Sequence, residues 1–138
     1  MLIKDLAQLD AENVRRDHWD NTFPVDPIVI ARRMGVTSYL SSGLGDTSGL
    51  IVQPEGERAK IYINQFEATA RQRFTCAHEI GHYVERMRNK DTAYTFRDLR
   101  SGKADTPHEW YAAHFAANLL MPQAPFEELI EVHGATCG

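Results

Sequence analysis

The chain has 138 residues, 43% of them hydrophobic and 25% charged, with 15 basic against 19 acidic side chains and a formal net charge of -4. That length buries a core without staples, and the acidic balance gives no electrostatic footprint for sequence-independent nucleic-acid binding. No apolar run approaches the roughly 18 residues of a membrane span. Asp5 and Asp10 fall where a secretory leader would carry its apolar segment, so a cytoplasmic protein is expected, with Cys76 and Cys137 kept as thiols. A single domain over residues 1–138 is the expectation.

In chain order, Leu2, Leu6, Leu9 and Val14 give an approximate apolar stripe for a first helix over 3–19. Asn21 to Pro24 is a break. Asp26 then reads as an N-cap with Pro27 at the first helical position, opening a short helix through Arg33 that stops at Gly35. Three β-rich runs follow, Val36–Leu40, Ser48–Gln53 and Ala59–Asn64, separated by Gly- and Ser-containing turns. They predict a small antiparallel meander. The strand Lys60–Asn64 is further expected to present an edge on which an extended substrate pairs. Ile28 to Thr37 resembles the first helix and turn of a DNA-binding helix-turn-helix. However, Ser38 to Gly45 holds two glycines and no helical stripe where a recognition helix should follow.

A long helix is predicted from about Glu67 to Arg88. Phe74, Ala77, Gly81 and Val84 form one apolar stripe; Cys76, Ile80, Tyr83 and Met87 form a second. Together they cover more than half the circumference, which marks a central, largely buried helix. The remaining face carries His78, His82 and Glu85. A polar loop is expected over Asn89–Pro107, a fourth helix over His108–Leu120, and a last helix from about Pro125 to Val132.

His78-Glu79-Ile80-Gly81-His82 carries the chemistry. Histidines four apart on a helix stand one turn apart and about 40° from alignment, so both imidazoles reach one cation. Glu79 then sits beside that cation, which is the arrangement of zinc-dependent peptide hydrolases. A catalytic zinc takes a third protein ligand. The candidates are His18, His108, His114 and His133 and the downstream carboxylates Glu85, Asp91, Asp98, Asp105, Glu109, Glu127, Glu128 and Glu131. Glu109 stands out because it heads an otherwise apolar helix whose Ala112, Ala113 and Ala116 form a small-residue seam. Glu85 reads as a solvated-face residue, with orientation of a ligand as the alternative. Cys76 reads as core.

Two segments, Arg73 to Tyr83 around the paired histidines and Glu109-x-x-Ala112-x-x-Phe115-Ala116-Ala117-x-Leu119-Leu120-Met121-Pro122, resemble the ImmA/IrrE family of zinc metallopeptidases. The Ala31-Arg32-Arg33-Met34-Gly35-Val36, Asp46-Thr47-Ser48-Gly49 and Ile61-x-Ile63-Asn64 segments extend the resemblance over nearly the whole chain. It implies a minimal zincin-like α+β domain, in which a small antiparallel sheet packs on the central histidine helix with helices at both ends. It further implies zinc on His78, His82 and Glu109, with Glu79 as the general base. Tyr83, Tyr111 and His114 are the candidate donors to the oxyanion. The family usually carries Asn at the position of Ala113, so any hydrogen bond from that amide is missing here.

The implied activity is site-specific cleavage of a protein partner, typically an Xre-type helix-turn-helix repressor, relieving repression. The chain ends soon after these motifs, so sensing domains of larger relatives are not expected. A rival from another class is a non-cleaving zinc-binding interaction protein, such as a toxin–antitoxin or regulatory partner.

Overall fold

A computed structural model describes residues 2–20, 22–89, 94–99 and 106–121. Two helices, α1 (Ile3–His18) and α2 (Pro27–Arg33), precede the strands β1 (Thr37–Ser41), β2 (Thr47–Gln53) and β3 (Lys60–Asn64). The long helix α3 (Thr69–Arg88), the strand β4 (Tyr94–Leu99) and the helix α4 (Pro107–Leu120) complete it. The α+β class with a central histidine helix is as expected. The helix expected at 125–132 lies outside the described residues, as do His133, Glu127, Glu128, Glu131, Asp91, Asp105 and Cys137. Among the described residues, no helix is long and apolar enough to cross a membrane.

Local chemistry accounts for the boundaries of α2. The Asp26 carboxylate accepts from the amides of Ile28 (3.0 Å) and Val29 (3.4 Å), and Pro27 sits at the first turn, where no amide is needed. At the other end Gly35 adopts φ +87°. The Val36 amide then reaches the Ala31 carbonyl at 2.9 Å and the Gly35 amide reaches Arg32 at 3.0 Å. This is a Schellman closure, and it aims the chain directly into β1. The segment resembling a helix-turn-helix therefore continues as a strand.

The sheet departs from the expected meander. Its order is β1-β3-β2-β4, with β1 and β3 parallel and the other two pairings antiparallel. β2 and β3 form the local hairpin, and the loop after β1 crosses the end of β3 to reach the far side. Asn64, 1% exposed at that end, holds the crossing: its amide donates to the carbonyls of Gly45 (3.1 Å) and Thr47 (3.0 Å). Because β3 is paired on both sides, an extended substrate has no edge to join at Lys60–Asn64, and that expectation fails. The fourth strand, β4, lies within the stretch read as a loop and pairs with β2 from Gln53↔Tyr94 to Thr47↔Leu99.

The helical layer is built on close contact. α4 packs most extensively against α1 and α3. A Cβ placed on Gly81 of α3 would lie 3.1 Å from Ala112 Cα and 3.2 Å from Phe115 Cβ, so any larger residue would push the two helices apart by a few tenths of an ångström at this crossing. Ala112 and Ala116 are fully buried, as the small-residue seam requires. A polar knot joins the three helices beside this contact. Asp10 of α1 accepts from the Tyr111 hydroxyl of α4 at 2.6 Å and pairs with Arg88 at the end of α3, whose guanidinium lies over the Tyr111 ring. Arg15 of α1 adds a 3.0 Å bond to the Asn118 carbonyl.

Two outcomes follow from this packing. Asp10→Ala leaves the buried Tyr111 hydroxyl without its acceptor and releases the partly exposed Arg88 to solvent, and is expected to cost about 1–3 kcal/mol. Tyr111→Phe removes one hydrogen bond and is expected to cost about 1 kcal/mol. Urea unfolding of both variants checks that order. Cys76 is fully buried, and desolvation pushes its thiol up to about 12. Alkylation at pH 8 followed by peptide mapping is expected to leave Cys76 unmodified in the native protein and modified in denaturant.

Candidate metal centre

One face of α3 presents His78 and His82 a turn apart, their ring centroids separated by 5.0 Å and the planes inclined at 75°. Opposite them, the first turn of α4 delivers Glu109. The turn is set by Thr106, whose hydroxyl accepts from the Glu109 amide at 3.2 Å, with Pro107 following it. The Glu109 carboxylate reaches both rings, Oε2 at 2.9 Å from His78 Nε2 and Oε1 at 3.1 Å from His82 Nε2. Donor atoms of the three residues lie within 4.8 Å of one another. Each carboxylate oxygen faces a different imidazole.

These atoms suit a divalent ion. A tetrahedral zinc with bonds of about 2.0–2.2 Å spaces its donors about 3.3 Å apart, close to the 2.9 and 3.1 Å between the Glu109 oxygens and the two imidazole nitrogens. Two neutral imidazole nitrogens and a carboxylate are also a borderline-soft set that matches zinc better than calcium or magnesium. The His82 side chain is 0% exposed, whereas those of His78 and Glu109 are 12% and 21% exposed. The cluster is therefore sealed on one side and open on the other, as a site that admits a reactant must be.

Glu79 lies about 100° around the helix from His78 and is fully buried. It points toward β2 at Gly49, where a Cβ would stand 3.4 Å from its Oε2 and 3.1 Å from the Tyr62 carbonyl, and would collide with the Thr75 methyl. Gly49 and Thr75 thus shape the pocket that receives the carboxylate. Neither was singled out from sequence as a site residue, although Gly49 closes the Asp46-Thr47-Ser48-Gly49 segment that carried part of the family resemblance.

The remaining candidates separate. Tyr111 is withdrawn from the cluster: it is 2% exposed and its hydroxyl proton goes to Asp10, with burial, then Asp10, holding its pKa well above the ordinary tyrosine value. That commitment corrects its inclusion among oxyanion donors. Tyr83 is half-buried against the core, and desolvation raises its hydroxyl. His114 sits five residues beyond Glu109, about 140° around α4, and its backbone carbonyl accepts from Asn118 at 2.7 Å. His18 is half-buried at the end of α1, where its carbonyl accepts from Arg33. Glu85 does not lie on a freely solvated face: it bonds His108, the residue before Glu109, at 2.8 Å.

A family model described as the IrrE N-terminal-like domain of the M78 peptidases matches residues 31–136. No curated protein and no solved structure matches the chain.

Gly49→Ala tests the pocket around Glu79. The added methyl has no room between Thr75, Tyr62 and Glu79, so a loss of about 1–3 kcal/mol is expected in chemical denaturation. Zinc affinity should change little, because the three converging donors do not touch Gly49.

Proposed function

The chain belongs to the IrrE N-terminal-like family of M78 peptidases, and from that premise we propose that it is a zinc-dependent endopeptidase that cuts a protein partner at a defined site. The observation that carries the reading is the convergence of His78, His82 and Glu109 beside a buried Glu79. His78, His82 and Glu109 would hold the ion. Zinc bound there supplies a Lewis-acidic centre and a water acidified toward neutrality.

The chain's own residues do the rest. Glu79 accepts the proton of the attacking water and passes it to the leaving amine, so that one carboxylate serves as base and then acid. The sealed side around His82 keeps bulk water from the ligands, and the open side beside His78 and Glu109 is the route for the substrate chain. Tyr83 and His114 are the candidates for steadying the oxyanion.

The proposed substrate is an Xre-type helix-turn-helix repressor, whose cleavage would relieve repression; the support is the family resemblance carried by the two motifs. A repressor substrate places the encounter in the cytoplasm. The decisive comparison is zinc-loaded wild type against Glu79→Gln, each incubated with the repressor encoded beside it. The wild type is expected to produce two defined fragments, and the variant to keep its zinc while cleaving at least about a hundredfold more slowly. Capture of the intact repressor by both proteins, with no cut in either, would sink the peptidase reading and leave a non-cleaving interaction protein in its place.

A further inference from the structure

Glu85 lies three residues beyond His82 and seven beyond His78, on the same face of α3. Its Oε1 is 2.8 Å from Nδ1 of His108 and 3.2 Å from Nη2 of Arg86. The carboxylate is well covered: the Glu85 and Arg86 side chains are 17% and 15% exposed. Arg86 can only donate, so it serves the carboxylate. Nη2 of Arg86 also stands 3.0 Å from the same Nδ1 of His108, so Glu85, Arg86 and His108 form one contact triangle, in which the carboxylate accepts from His108 when Nδ1 carries the proton. His108 is the immediate neighbour of Glu109, and both belong to the first turn of α4.

We propose that Glu85 is a positioning residue for the metal centre, acting through His108 to set where Glu109 meets the two histidines. This rests on the reading of His78, His82 and Glu109 as ligands. Glu85 extends the histidine row of α3 by one turn, and His108 extends the first turn of α4 toward it. The bond between them therefore fixes how far α4 can slide or rotate along α3 at the end where Glu109 sits. The Gly81–Ala112 contact governs how closely the helices approach, but a glycine against an alanine leaves rotation about that contact loosely defined. A charge-assisted hydrogen bond one turn away removes that freedom. Without it, the Glu109 carboxylate would sample orientations in which one of its oxygens leaves its imidazole. Supporting groups of this kind typically change metal affinity ten- to a hundredfold.

The test is zinc affinity, read by competition with a chromophoric chelator, together with the visible spectrum of the cobalt(II)-substituted protein. Glu85→Ala is expected to weaken zinc binding about tenfold and to reduce the intensity of the cobalt bands as the coordination loosens. Glu85→Gln keeps an oxygen that accepts from His108 and is expected to return affinity to within about threefold of wild type. His108→Phe removes the same bond from a side chain that is 46% exposed, where folding is not at risk, and should reproduce the alanine result. Thermal unfolding of the metal-free proteins separates the alternatives. A merely structural pin would lower the apo midpoint and leave zinc affinity and the cobalt spectrum as in wild type, which would overturn the proposal. A wild-type protein that binds neither zinc nor cobalt would overturn this inference and the peptidase reading together; a zinc-binding wild type with unaffected variants overturns this inference alone.

Discussion

The approach of α4 to α3 at Gly81 and Ala112 is the constraint on which the candidate site depends. Two histidines on one helix are a local feature that any sufficiently long helix can offer. The third donor is not local, since Glu109 is 27 residues beyond His82 in the sequence and is brought across by the close approach of α4 to α3 at this small-residue contact. The rest of the helical layer follows from the same contact. Phe115 packs against the space left by glycine, and α1 packs extensively on α4, with Ala7 and Ala11 of α1 fully buried.

Polar groups then supply the specificity that small residues cannot. An alanine-lined seam is adhesive but smooth, and helices packed on it have many nearly equivalent registers. The Asp10–Arg88–Tyr111 knot, the Arg15 bond to Asn118 and the Glu85–His108 pair each join different elements at one geometry. Partly buried polar contacts of this sort add little net stability, because lost hydration offsets most of the attraction. Their effect is to make wrong registers expensive.

Much of this was legible in the chain. The helical periodicities place α1 to α4 within two residues of their observed ends, because capping residues such as Asp26 and Gly35 act locally. The histidine pair and the small-residue seam behind Glu109 were legible for the same reason. The sheet was not. Period-two patterns mark which residues form strands, but the pattern is the same whether a strand pairs with its sequence neighbour or with one beyond it. The crossing over β3 is specified by Asn64, a polar residue at a strand end whose sequence neighbourhood carries no sign that it is buried. β4 was obscured by the charged residues around it. The roles of Tyr111 and Glu85 depend on partners 101 and 23 residues away, respectively, and no local signal reports them.

The docking of α1 on α4 joins the two ends of the described chain and gives the candidate centre a kinetic character. The histidines can come into register as soon as α3 winds, a submicrosecond event for an isolated helix. Glu109 arrives only after the slower search that brings α4 between α1 and α3, a step dominated by contacts distant in sequence. An ion captured early would thus sit on two imidazoles and gain its carboxylate at the end. Assembly of the metal centre thereby becomes coincident with completion of the fold, and a partly folded chain offers only an incomplete ligand set.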